Sequence, residues 1–182
     1  MIEKVICSGF GGQGVLSLGQ ILSLVNMHNG KHVTWIPAYG AEMRGGTANC
    51  SVIYSDELIG SPLINNDISI LVAMNQPSVD KFVDRVIKGG LVIVNSSVIK
   101  NKIERDDLEV YYVDATDIAT EIGSAKFQNM VMLGALTEAK QQFSLENVES
   151  AFNEKFTGEK AKFIPSNIAA VNKGIEVVKA QK

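Results

Sequence analysis

The sequence has 182 residues, 46% hydrophobic and 20% charged, with a formal net charge of −3. A chain of this size buries roughly 70% of its unfolded surface, so it needs no disulfide or metal to fold. Its charge gives no whole-protein field for nucleic acid or an anionic membrane. Two cysteines, Cys7 and Cys50, are too few for an iron–sulfur cluster and complete no zinc spacing with His28 and His32. Each lies in an apolar stretch and is expected as a buried, inert thiol.

The chain opens on Met1-Ile2-Glu3-Lys4, which lacks the build of a signal peptide, and no later stretch approaches 18 uninterrupted apolar residues. A cytoplasmic protein is expected, with residues 1–182 forming a single module. Val5, Ile6 and Cys7 mark a first strand. It runs into Gly9-Phe10-Gly11-Gly12-Gln13-Gly14, after which Val15, Leu18, Ile21, Leu22 and Val25 recur at helical spacing up to an Asn29-Gly30 stop. Strand, glycine turn and helix is the order an anion site needs. Glycines permit positive φ and close backbone approach, and the first N–H groups and positive dipole end of a helix attract phosphate or carboxylate.

Gly9, Gly11 and Gly14 also satisfy G-x-G-x-x-G, which raises a dinucleotide site as an alternative. Such a site wants an acid at the end of the second strand to hold the ribose. That strand, residues 32–36, leads to Pro37, Ala38 and Tyr39 with no Asp or Glu before Glu42. A Walker A loop fails because no Lys-Ser/Thr follows the glycines. A third reading is a glycine turn that serves only to tighten the strand-to-helix connection.

Residues 37–46 join the second strand to a third over residues 47–54 with no helix between, so this pair can be antiparallel. The joining loop gathers Tyr39, Glu42, Arg44, Gly45, Gly46 and Thr47. Arg44 can present a planar fork to phosphate or carboxylate, with main-chain N–H groups of Gly45 and Gly46 converging beside it. The plainer alternative is a solvated hairpin with an internal Glu42–Arg44 pair. Further strands are expected over 68–74, 91–95 and 109–114. Helices are expected over 77–88, 115–122, 129–142, 145–156 and 167–180. Ser144 and Ser166 or Asn167 stand as N-caps, and Gly89-Gly90 as a helix stop. Asn129 is expected to cap its helix or to orient a loop. The alternation predicts an α/β, three-layer Rossmann-like domain with a mostly parallel sheet, mixed if residues 32–54 form an antiparallel pair.

Taken together, GFGGQG after the first strand, YGAEMRGGTANCSVIYSD in the middle, Ser61-Pro62, and QNMVMLGAL from Gln128 onward resemble the gamma subunit of 2-oxoacid:ferredoxin (acceptor) oxidoreductases. The resemblance covers residues 3–178, and the two central motifs are specific in combination. It implies an enzyme that oxidatively decarboxylates a 2-oxoacid, 2-oxoglutarate somewhat ahead of 2-oxoisovalerate, and delivers the acyl group to coenzyme A and electrons to ferredoxin. It places thiamine diphosphate, magnesium and the iron–sulfur clusters on alpha, beta and in some cases delta subunits. This agrees with the scarcity of cysteine and the lack of a G-D-G segment followed by the Asn of a thiamine diphosphate site.

For this chain the resemblance implies no catalytic acid, base or nucleophile and no metal. Its part is to cover the active site and help receive coenzyme A. Gly9, Gly11, Gly12, Gln13 and Gly14 form one anion cradle, with Gln13 able to donate to a phosphate or to the backbone of a partner. Tyr39, Glu42, Arg44, Gly45, Gly46 and Thr47 form the second. Self-association is expected when the chain is made alone. The alternatives from other classes are a free-standing nucleotide- or coenzyme-A-binding module and a small NAD-dependent dehydrogenase.

Overall fold

The computed structural model describes residues 1–38 and 47–182. Six strands form one sheet: β1 (Ile2–Phe10), β2 (His32–Ala38), β3 (Thr47–Ser55), β4 (Ile68–Ala73), β5 (Val86–Asn95) and β6 (Glu109–Val113), in the order β2-β3-β1-β4-β5-β6. β1, β4, β5 and β6 are mutually parallel, and β3 runs against both β1 and β2. The mixed sheet follows from the missing crossover. A parallel neighbour needs a dozen or more connecting residues, whereas residues 39–46 suffice only for an antiparallel return.

The helices are α1 (Val15–His28), α2 (Gln76–Phe82), α3 (Ala115–Glu121), α4 (Gln128–Lys140), α5 (Leu145–Lys155) and α6 (Ile164–Lys179). Alternation along the strands splits the core in two. Val5, Cys7, Ile70, Val72, Leu91 and Ile93 face α1 and α3 to α6. Ile6, Leu71, Ala73, Val92 and Val94 face α2, through Val79 and Phe82. Central strands covered on both sides explain the near-continuous apolar runs in β4 and β5. At the α4–α6 crossing, Gly134 packs on the Val171 backbone and Gly174 on the Val131 backbone, so closely that a Cβ at either position would overlap a carbonyl oxygen.

Three expectations about elements need correction. The helix read over 77–88 ends at Phe82, a 3-10 turn covers Val83–Arg85, and β5 already begins at Val86. Gly89-Gly90 therefore stops no helix. These glycines lie inside β5, where Gly89 takes φ 73° and the β4–β5 register shifts, letting the strand bend before Leu91. Buried Val86 belongs to the second core, and its β-branched side chain suits the extended start. Neither Ser166 nor Asn167 caps α6. A 3-10 segment, Gly158–Phe163, leads directly into it, Pro165 occupies its first turn, and Asn167 Nδ2 donates to Phe163 O. Ser144 does cap α5, in a reciprocal capping box with Asn147.

Candidate functional site

The helices that follow β1 and β4 leave on opposite faces of the sheet, although the two strands are adjacent and parallel. This is a topological switch point, where the diverging connections open a crevice beyond the strands' carboxyl ends. At this rim the glycine loop, residues 9–14, lies directly against the segment that follows β4, with Gln13 Nε2 donating to Met74 O and Gly9 packed on Met74.

Backbone demands account for the glycines. Gly12 takes φ 94° and Gly14, the N-cap of α1, takes φ 75°, both in the left-handed region. A Cβ on Gly9 would lie 2.7 Å from Met74 Cβ and 2.8 Å from Val15 Cγ2. Phe10, Gly11 and Gly12 are exposed. The Gln13 amide latches the loop: its Oε1 accepts from Phe10 N at 2.7 Å, and its Nε2 donates to Met74 O at 2.9 Å. Both ends of that amide are thus engaged within the chain.

Asn129 is not a cap. The 3-10 turn Ala125–Phe127 feeds α4, and Asn129 Nδ2 reaches across to donate to Gly14 O at 3.1 Å. The first turns of α1 and α4 therefore meet. Neither helix has a side-chain cap bond or an acidic residue in its first turn. Two positive dipole ends converge on one loop, an arrangement that favours an anion.

Two buried polar clusters support this rim. Ser78 Oγ bonds Ser8 Oγ at 2.8 Å, and Asn75 Oδ1 caps α2 by accepting from Ser78 N at 2.9 Å. Asn95, at the end of β5, donates to Thr116 Oγ1 and Gln128 Oε1, fixing the residue that opens α4. Sequence reasoning missed these residues. An Asn75 followed two places later by Pro77 was the available signal for a helix start.

Of the second loop, Tyr39, Glu42, Arg44, Gly45 and Gly46 lie outside the described residues. Its anchors are described. Thr47 pairs with Phe10 in the β1–β3 ladder, and Ala38 pairs with Asn49, so both ends of the loop attach at the rim that carries the glycine loop. A cleft of about 710 Å³, lined by residues including Asn29, Gln142 and Lys179, sits at the other end of the sheet and takes no part in this constellation. Among the described residues, no three His, Cys, Asp or Glu side chains are grouped to hold a metal ion, and no helix is long and apolar enough to cross a membrane.

Residues 4–177 match the family model described as pyruvate ferredoxin/flavodoxin oxidoreductase. The chain belongs to this family. Within the oxidoreductase family it is a gamma-type unit. It is 38% identical over 174 residues to ketoisovalerate oxidoreductase subunit VorA of Methanothermobacter thermautotrophicus, covering 95% of this chain but 36% of that protein. It is 36% identical over 185 residues to 2-oxoglutarate synthase subunit KorC of Methanocaldococcus jannaschii, covering 98% of this chain and 95% of that one. The chain thus spans about a third of the length of one oxidoreductase relative and nearly all of the other.

Among solved structures, the gamma subunit of a keto/oxoacid ferredoxin oxidoreductase from Geobacter sulfurreducens superposes with TM-score 0.82 at 27% identity, covering 98% of this chain and 99% of that one. A 2-oxoglutarate:ferredoxin oxidoreductase from Magnetococcus marinus, described with 2-oxoglutarate, coenzyme A and succinyl-CoA bound, gives TM-score 0.88 at 23% identity over 98% of this chain and 31% of that one. At that identity the likeness is one of fold.

Proposed function

We propose that this chain completes a multi-subunit oxidoreductase that decarboxylates a 2-oxoacid and transfers the acyl group to coenzyme A, and that it closes the active site and receives coenzyme A. One observation carries the reading: the first turns of α1 and α4 meet at Gly14, beside an exposed glycine loop. Coenzyme A brings a pyrophosphate and a ribose phosphate, and such groups suit convergent helix N-termini.

In this reading the main-chain N–H groups of Gly11, Gly12 and Gly14 cradle one phosphate, Gly9, buried at the end of β1, lets the loop pack on Met74, and Gln13 keeps the loop in shape. Tyr39, Glu42, Arg44, Gly45, Gly46 and Thr47 close over the ligand from the neighbouring strand ends, and Arg44 supplies the charge. Alpha, beta and, where present, delta subunits supply thiamine diphosphate, magnesium and iron–sulfur clusters, and ferredoxin accepts the electrons. 2-Oxoglutarate is the favoured substrate, since a relative matched along nearly its whole length is named a 2-oxoglutarate synthase subunit. The Magnetococcus enzyme, which shares this fold and holds coenzyme A and succinyl-CoA, supports coenzyme A as the ligand.

Arg44 gives the test. In the reconstituted complex, Arg44→Ala raises the KM for coenzyme A while leaving that for the 2-oxoacid nearly unchanged, with a loss of about 1.5–3 kcal/mol for a charge-assisted hydrogen bond. Arg44→Lys keeps the charge but not the planar fork, and falls between. Normal coenzyme A kinetics combined with failed subunit association would make the loop an interface element instead.

A further inference from the structure

The two cysteines, 43 positions apart in sequence, stand directly opposite one another in the antiparallel β1–β3 ladder, Cys7 against Cys50. Both are free and fully buried, and both belong to the core on the α1 side, so their side chains leave the sheet on the same face. Opposed residues in an antiparallel pair have Cα atoms about 4.5 or 5.5 Å apart, depending on their place in the hydrogen-bond pattern. Either separation lies within the range of about 4.4–6.8 Å that a disulfide spans. The fold thus brings two thiols to bridging distance without moving a strand.

The surroundings treat the two sulfurs differently. Cys50 Sγ donates to Val15 O at 3.6 Å, in the first turn of α1. Gly19 lies over it so closely that any Cβ there would overlap the sulfur and stand 2.9 Å from Trp35 Nε1. That indole nitrogen is buried and has no conventional hydrogen-bond partner among the described residues, so its N–H is available to a polarisable sulfur. Contact with the Cys7 thiol lowers Cys50 against the cost of burial, while the same contact, and then burial, pushes the Cys7 thiol up. Cys50 is therefore the sulfur that ionises first, and Cys7 is the thiol beside it.

We infer that Cys7 and Cys50 form an oxidation site, a dithiol that a hydroperoxide converts to a cross-strand disulfide. The Cys50 thiolate attacks a peroxide oxygen, breaking the O–O bond and releasing hydroxide, which takes up a proton to become water. The resulting Cys50 sulfenic acid is attacked by the Cys7 sulfur, forming the S–S bond and expelling a second water. Each sulfur loses one electron and the peroxide takes up both. Two thiols and one hydrogen peroxide thus give one disulfide and two waters. The bond removes the S–H donor from Val15 O, immediately after the N-cap of α1, so oxidation is felt at the glycine loop.

The test uses the full chain, reduced, freed of reductant and titrated with hydrogen peroxide, then denatured and alkylated. The exposed methionines Met1 and Met27 serve as an internal measure of oxidant dose. Both alkylatable thiols are expected to disappear together, with a mass lower by two hydrogens, no intermolecular linkage, and full recovery on adding dithiothreitol. Trp35, the one tryptophan in the sequence, reports the event by a change in fluorescence. Cys7→Ala, checked for folding by circular dichroism, leaves Cys50 as a sulfenic acid that dimedone traps. Retention of both thiols after Met1 and Met27 are oxidised, or only disulfide-linked dimers, overturns the proposal. So does over-oxidation of one cysteine while the other remains free.

Discussion

The side-chain amide of Asn129 donates to the carbonyl oxygen of Gly14 across 115 positions of sequence, and in doing so ties the first turn of α4 to the N-cap of α1. The bond joins the two helix ends that face the crevice, so it should be felt in both stability and anion binding. Asn129→Ala is expected to cost about 1 kcal/mol, the usual net worth of one such bond. Gly14→Ala should cost more, because φ 75° strains any L side chain and the new Cβ would lie 2.7 Å from Asn129 Cγ. The double variant relieves the overlap but not the strain. Urea unfolding should therefore show it less destabilised than the sum of the two singles; strict additivity would mean that the two residues do not press on one another.

Much of the rim was legible because its signals are local. A strand ending in GFGGQG before a helical period demands a turn with positive φ, and the absence of a helix between β2 and β3 left room for an antiparallel pair. What could not be read depended on distant partners. Asn129 looks like a helix-opening residue until the fold brings Gly14 beside it. Gln13 looks like a free donor until Met74 arrives from β4. The start of β5 was missed for a related reason: Gly89-Gly90 resembles a helix stop in isolation, and only pairing with β4 makes it a bend inside a strand.

The α4–α6 crossing offers a test in which two effects have opposite sign. Alanine in an isolated helix is favoured over glycine by about 1 kcal/mol. At Gly134 and Gly174, however, a Cβ would meet the Val171 and Val131 carbonyl oxygens, which are backbone atoms and cannot swing aside. Overpacking of this kind costs about 1–3 kcal/mol or more and should win. Gly134→Ala and Gly174→Ala are each expected to lower the melting temperature. A rise in either would show that the helices can separate without loss.

Acid sensitivity should centre on Glu3. Burial alone would raise its pKa, but hydrogen bonds from Lys140, Ser69 and Gln142 together hold the carboxyl below its ordinary value. Ser69 Oγ donates to Glu3 Oε2 at 2.5 Å, and Lys140 Nζ pairs with Oε1 at 2.7 Å. A carboxyl with a depressed folded-state pKa contributes its stability above the unfolded value, about 4.3, and loses it as pH falls through the folded one. Glu3→Gln should therefore destabilise the chain at neutral pH and flatten the fall in stability below about pH 4.3. Denaturant midpoints measured across that limb check both parts; an unchanged acid limb would assign the sensitivity to other carboxylates.

Gln13 separates the shape of the glycine loop from its charge. Gln13→Ala removes the latch to Phe10 N and Met74 O, and should cost about 1–2 kcal/mol of stability, one modest net contribution for each lost bond. Gln13→Glu can still accept from Phe10 N, but it sets a carboxylate against the Met74 carbonyl oxygen and places a negative charge inside the proposed cradle. If the loop receives an anion, the acidic variant must weaken coenzyme A more than the alanine variant does, and added salt should narrow the difference by screening the exposed part of the repulsion. Coenzyme A titrations of the reconstituted complex, at low and high ionic strength, measure this. Equal losses in the two variants, insensitive to salt, would leave Gln13 a role in loop shape alone and remove the electrostatic support for a phosphate at this turn.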